Sequence, residues 1–271
     1  MTDFLTVAIL GVVEGITEFL PVSSTGHLLI AQQWLPRQTD LFNIVIQTGA
    51  VLAVIPLFHH RFHQFIFNWR DPAVRDYFLK IVAAFFITGA GGYMMEKHGF
   101  KLPEKMLPVA IALLVGGVLF LLVERWLAGK GPASGGGDLR DVTWTVAVAC
   151  GIGQLIAAAF PGASRSGTTI ILSLLLGLGR PLATEYSFLV SIPTMLAAGG
   201  YKILEAFHHP EAGAPHENWH MVILATVIAA IVSFIAVKWL LRYVQTHTFV
   251  AFGWYRILVA AGVFVLLALH I

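Results

Sequence analysis

Charge is scarce in this chain. Asp, Glu, Lys and Arg make up 12% of its 271 residues, against roughly 25% in a soluble domain. Hydrophobic residues reach 57% and the mean hydropathy is +0.78. A water-soluble core of this length does not need so few charges. Four runs, 81–95, 107–123, 221–237 and 249–269, contain no acidic residue at all. With their flanks they approach the roughly 20 apolar residues that cross a bilayer. A single cysteine, Cys150, excludes an intramolecular disulfide and a cysteine-rich metal centre. No glycine-rich phosphate loop of the Walker type is present, so nucleotide binding has no support, and nothing points to nucleic acid. The first twenty residues lack a basic start, and Glu14 and Glu18 interrupt the apolar stretch a leader would need. That segment is expected to be mature structure.

What the chain does contain is a repeat. Residues 11–24 align with 151–164, placing Pro21 on Pro161 and Ser24 on Ser164, an offset of 140. Later apolar segments pair in order: 42–58 with 186–207, 78–95 with 219–241, and 106–126 with 249–270. The expectation is an all-α polytopic membrane protein. Its first repeat is 1–127, its linker 128–141 with Gly135, Gly136 and Gly137, and its second repeat 142–271. Each repeat has one broken apolar segment and three full spans, about six spans in all.

Proline and small polar residues in mid-segment suggest a helix that enters, stops and returns as a re-entrant hairpin. Irregular backbone at membrane depth survives only where protein or a wet cavity surrounds it. Three crossings per half would turn the second repeat upside down and put the site near the midplane. The positive-inside rule sets ten basic residues, among them Arg61, Arg70, Arg125, Arg180 and Arg242, against Arg37, Lys97, Lys101 and Lys105. Loops at 59–77, 127–141 and 242–248 are then cytoplasmic, and the basic-free loop 207–218 is outside.

The two broken segments hold the chemistry. Glu14 and Glu18 lie four apart and share a helix face. Carboxylates at membrane depth are costly and mark function by default. Pro21 stops that helix, and Ser23, Ser24 and Thr25 are N-cap candidates for the next one. One cap needs only one of these three hydroxyls. His27 follows, able to exchange a proton near neutral pH, although a lone histidine is often only a satisfied core residue. In the second segment, Pro161, Gly162, Ala163, Ser164, Arg165, Ser166, Gly167 and Thr168 precede a helix expected over 170–178. A helix N-terminus suits phosphate, and an arginine fork matches its oxygens. The bland alternative is a structural ion pair between Arg165 and Glu14 or Glu18, which by itself says little about function.

If the two tips converge, Ser23, Thr25, Ser164, Ser166, Gly167, Thr168 and Arg165 surround one phosphate. Carboxylates beside phosphate repel it unless a hard cation intervenes. The constellation therefore predicts Mg2+ or Ca2+ on Glu14 and Glu18. The histidines at 59, 60, 63, 208, 209, 216 and 220 lack a ligand pattern and read as loop and interface residues. Gln47, Thr48 and the stretch 191–193 occupy equivalent places in the two halves, as cavity lining or as helix packing.

The stretches Glu14-Gly-Ile-Thr-Glu18-Phe-Leu-Pro21-Val-Ser23-Ser24-Thr25-Gly26-His27 and Pro161-Gly162-Ala163-Ser164-Arg165-Ser166-Gly167-Thr168 closely resemble the undecaprenyl pyrophosphate phosphatase family, the bacitracin-resistance proteins. The resemblance covers the whole chain. It implies an inner-membrane enzyme that removes one phosphate from undecaprenyl pyrophosphate, recycling the peptidoglycan lipid carrier. It also implies a periplasm-facing site, a Mg2+ or Ca2+ requirement, and an indirect link to bacitracin, which competes for the substrate. By position, Glu14 and Glu18 match the acidic pair, Ser24 and His27 the nucleophile and acid/base residues, and Arg165 the phosphate-binding arginine. The nucleophile stays open among Ser24, His27 and metal-bound water activated by Glu18. The oligomeric state is open too, a homodimer included. The competing function is transport or flipping of a lipid phosphate, since broken helices in inverted repeats also build transporters.

Overall fold

The computed structural model describes residues 2–99, 105–129, 138–208 and 218–269. Gly135 to Gly137, Lys101, Lys130, His209, His216 and most of the 207–218 loop lie outside the described residues. Among the described residues there is no strand. Six helical stretches have the length and apolarity to cross a membrane. The first combines α3 (Asp40–Val54), a 3-10 turn (Ile55–Phe58) and α4 (His59–Phe67). The others are α5 (Pro72–Lys97), α6 (Met106–Ala128), α9 (Arg180–His208), α10 (Trp219–Tyr243) and α11 (Val250–Ala268). Four shorter helices complete the fold: α1 (Thr2–Thr17), α2 (Ser24–Ala31), α7 (Trp144–Ala159) and α8 (Arg165–Leu175).

Helix starts follow the chemistry of the preceding residue. Thr39 accepts from the Phe42 amide, Asp71 from that of Ala73 ahead of Pro72, and Thr143 from that of Val146. Each cap satisfies one of the amides that a helix start leaves unpaired. Segment 59–67, expected as loop, is helical instead. Pro56 tightens the chain into a 3-10 turn, and α4 continues beyond it with no fully buried side chain. The second broken segment also differs from expectation: its helix begins at Arg165, not 170, and ends at Leu175 ahead of Gly177, whose φ is +96°.

The exterior is apolar. Ile223, Ile231 and Ile235 on α10 and Leu258 on α11 are each more than half exposed. Monomeric soluble proteins rarely expose contiguous apolar surface on this scale; lipid is the solvent that fits it. Inside, one large cluster joins Phe19, Tyr77, Phe120, Tyr186, Phe188 and Phe249. Ion pairs sit near helix ends. Arg61 pairs with Glu185 at 2.6 Å. Arg180 forks onto Glu124, which also accepts from the Phe249 amide at 2.8 Å.

Packing is reciprocal between the two halves. α1 lies on α10, and α7 lies on α5. α6 packs against α11, and α3 against α9. Gly15 permits the first of these contacts, since a Cβ there would sit 2.6 Å from the Ala229 carbonyl oxygen. This brings the α1–α2 turn and the α7–α8 turn together in the middle of the molecule.

Candidate active site at two facing helix turns

The two turns are built alike. Ser23 precedes α2 with φ +76°, and Ser164 precedes α8 with φ +70°. Among the described residues they are the non-glycine positions with positive φ. Such a conformation is uncommon for a side-chain-bearing residue, and in a fold it often marks a functional turn. Ser23 Oγ accepts from the Gly26 amide at 3.2 Å. Ser164 Oγ accepts from the Gly167 amide at 3.1 Å. The two caps lie 141 residues apart, against 140 for Pro21 and Pro161. Ser23 corresponds to Ser164, and Ser24 to Arg165. His27 corresponds to Thr168, and both side chains bond back to the cap carbonyl, at 2.8 Å and 2.9 Å.

Several bonds cross between the turns. Ser166 Oγ donates to the Leu20 carbonyl at 3.2 Å and sits 3.2 Å from Ser164 Oγ. The Arg256 guanidinium, fully buried, donates to the carbonyls of Pro21 at 3.1 Å, Gly162 at 2.9 Å and Ala163 at 3.0 Å. It also reaches Ala112 and Leu113 on α6.

The carboxylates differ in their bonding. Glu18 accepts a short hydrogen bond from Ser24 Oγ. Glu14 is wholly buried, and neither of its oxygens has a hydrogen-bond partner. It lies within electrostatic reach of Glu18 and Arg165. A buried ion without a partner costs several kcal/mol, so stability does not explain Glu14. A proton or a bound cation does. Two carboxylates with substrate oxygens form the hard-oxygen donor set that Mg2+ and Ca2+ accept. Among the described residues no three His, Cys, Asp or Glu side chains form a metal cage, so phosphate would have to supply ligands. The histidines at 59, 60, 63, 208 and 220 form no such group either.

His27 is placed differently from a base on Ser24. Its Nδ1 donates to the Ser23 carbonyl, since a carbonyl can only accept. Nε2 is left as acceptor for the Tyr255 hydroxyl, at 2.8 Å. Ser24 thus has its hydrogen bond to Glu18, and His27 has both ring nitrogens occupied elsewhere. Thr25 is exposed and bonds to none of the others. No motif surrounds Tyr255 or Arg256, and the sequence marks Arg256 only as an arginine inside an apolar segment.

Arg165 forms no ion pair with Glu14 or Glu18, and no protein acceptor among the described residues takes its guanidinium. It lines a cleft of about 210 Å³ together with Gln47 and Thr48 on α3 and Met195, Gly199 and Lys202 on α9. Gln47 and Thr48 are therefore cavity lining. Ser191 is buried within α9 and does not line this cleft. Lys202 pairs with Glu205 at 2.6 Å.

A lipid-facing exterior around carboxylates, hydroxyls and an arginine free to take an anion defines a multi-pass membrane protein with an internal polar centre. Within that class the chain belongs to the bacitracin resistance protein BacA family, whose model matches residues 7–262. It is 49% identical over 257 residues to the undecaprenyl-diphosphatase of Rhizobium etli strain CFN 42, with 94% of each chain covered. It is 48% identical over 264 residues to that of Xanthomonas euvesicatoria pv. vesicatoria strain 85-10, covering 97% of this chain and 96% of the relative. The Xanthomonas campestris pv. campestris strain 8004 protein of the same name is also 48% identical, with 97% of each covered.

Proposed function

We infer that the protein is an integral membrane phosphatase that hydrolyses undecaprenyl diphosphate to the monophosphate and inorganic phosphate. Family membership and the named relatives support the reaction. The observation behind the residue assignment is the Ser24–Glu18 hydrogen bond at the start of α2, with Arg165 at the start of α8 lining a cleft and given no protein acceptor among the described residues. A hydroxyl on a carboxylate is an activated nucleophile.

In the proposed mechanism Arg165 and the amides at the start of α8 bind the terminal phosphate. Ser24 Oγ attacks its phosphorus in line while Glu18 takes the hydroxyl proton. The bond from phosphorus to the bridging oxygen breaks, and the lipid monophosphate leaves. Glu18 gives that proton up as the monophosphate departs, then takes one from water; the water displaces phosphate from Ser24, whose Oγ recovers its proton from Glu18. Stabilising the charge on the equatorial oxygens supplies most of the rate. His27, held by Ser23 and Tyr255, is assigned proton exchange with the leaving group. Glu14 with Glu18 would hold Mg2+ or Ca2+, which would neutralise charge between the carboxylates and the phosphate. Ser23, Ser164, Ser166, Gly167 and Thr168 shape the two turns, and Thr25 has no place in the assignment.

The two repeats are proposed to be inverted, with each short helix pair re-entrant. Helices of 16 and 8 residues, and of 16 and 11, fall short of separate spans, and the reciprocal packing supports the repeat. The charge asymmetry favours a bacterial inner-membrane location with the cleft open to the periplasm. Bacitracin would act indirectly by competing for the lipid diphosphate. A homodimer is compatible with this arrangement.

The test is phosphate release from the C55 lipid diphosphate by purified protein in detergent with Mg2+ or Ca2+. Release that is abolished in Ser24→Ala supports the assignment. No release by the unaltered protein would return the site to transport, and full release by Ser24→Ala would remove the serine route.

A further inference from the structure

Arg256 is the largest fully buried side chain in the described fold, yet no acid partners it. Its hydrogen-bond acceptors are five backbone carbonyls on three separate segments. Fold stability alone is a poor reason to hold a cation this way, because desolvation costs several kcal/mol without a counter-ion. An apolar residue of similar volume would cost less. The acceptors are informative. Pro21 ends the segment carrying Glu14 and Glu18. Gly162 and Ala163 lead into Ser164 and Arg165. One planar group with a fixed fork of donors therefore spans the backbone just ahead of both functional turns.

α6 is shaped to admit it. Gly116 faces the guanidinium, and a Cβ at that position would fall on it. Ala112 and Leu113, one turn earlier, supply the α6 carbonyls. Gly167, the capped residue of α8, approaches the same guanidinium from the other side.

We propose that Arg256 is a positioning residue: its guanidinium locks the Pro21 turn to the Gly162–Ala163 turn and so fixes Ser24 relative to Arg165. It rests on the assignment of Ser24 and Arg165 made above. Besides the Arg256 bonds, the hydrogen bond that joins the two turns among the described residues is Ser166 to Leu20, a single neutral one. Misplacement of reacting groups by about 1 Å costs on the order of 100-fold in rate.

Two variants test this from opposite sides. Arg256→Lys keeps the charge but cannot reach five carbonyls. Gly116→Ala keeps the arginine and displaces its guanidinium, in a helix where alanine is intrinsically favoured. Both are measured as detergent-purified full chains, by phosphate release from the C55 lipid diphosphate and by thermal unfolding. The expected result is kcat lower by about 100-fold with KM within about threefold, because Arg165 still binds the phosphate. The double variant should be no worse than Arg256→Lys alone, since both changes act on one contact. Guanidinium ion added to Arg256→Ala should restore turnover, and added to Ser24→Ala it should not.

Unchanged kcat in Gly116→Ala and Arg256→Lys overturns the proposal. So does a loss that tracks the unfolding midpoint in both, with additive effects and no guanidinium rescue, which makes Arg256 structural only. If Arg256→Lys does not fold, Gly116→Ala decides. Full activity of Ser24→Ala and Arg165→Ala would instead defeat the site assignment, a separate result.

Discussion

Ser24 and Arg165 occupy the same position in two copies of one turn. Each is the first helical residue after a serine cap with left-handed φ. The two like-built turns present unlike groups: one a hydroxyl held by a carboxylate, the other a cation. The same backbone conformation places each of them at the first position of its helix.

Glu18→Gln should lower kcat by about 100- to 10,000-fold, the range for loss of a general base. Ser24→Ala should lose at least as much, and the double variant little more than Ser24→Ala, since the residues act as a unit. Phosphate release measured across the three variants checks this. Multiplying losses would separate the two roles.

Glu14→Gln should unfold at the same or a higher temperature than the unaltered protein when divalent ions are chelated, because a buried carboxylate without a partner is removed. The unaltered protein should gain thermal stability on addition of Mg2+ or Ca2+, since a ligand that binds only the folded state stabilises it. The variant should lose that gain along with its turnover. Differential scanning with and without the ion, in the absence of substrate, reads this directly. An equal gain in both proteins would place the ion elsewhere.

Arg165→Lys should not restore what Arg165→Ala loses. Lysine keeps the charge but lacks the planar fork that grips two phosphate oxygens. Binding of the lipid diphosphate should weaken in both variants, visible as raised KM where turnover is still measurable. Full activity of the lysine variant would reduce Arg165 to a point charge.

Lys202→Ala should raise KM several-fold while leaving kcat and the unfolding midpoint in place. Its ion pair with Glu205 is roughly two-fifths exposed on each side, and exposed pairs contribute about 0–1 kcal/mol. Lys202 shares the cleft with Arg165, so its charge acts on the arriving headgroup. A fall in kcat with KM intact would move Lys202 from recognition into the chemistry.

Much of this was legible in the residues themselves. Low charge and long apolar runs define the membrane class. Glu14, Glu18, Pro21, Ser24 and Arg165 stand out because such residues are costly where they lie. Segment 59–67 was less legible, since a 3-10 turn at Pro56 lets a polar helix continue beyond the span. The serine caps at Ser23 and Ser164 lie 141 apart, one more than the prolines, and it is their backbone conformation that the two turns share. A φ value leaves no mark in composition.

The sequence by itself determined that the chain crosses the membrane, that two broken segments bear the polar groups, and that one is acidic and the other basic. Local residue type and hydropathy suffice for each of these. The tertiary structure alone decided who touches whom. It gave Ser24 to Glu18 and His27 to Tyr255, left the Glu14 oxygens without a hydrogen-bond partner among the described residues, and brought Arg256 from the last helix to the two turns. These contacts join residues up to 235 positions apart. Packing of α6 on α11 and α1 on α10 creates them, and no local pattern encodes the depth at which two helices meet.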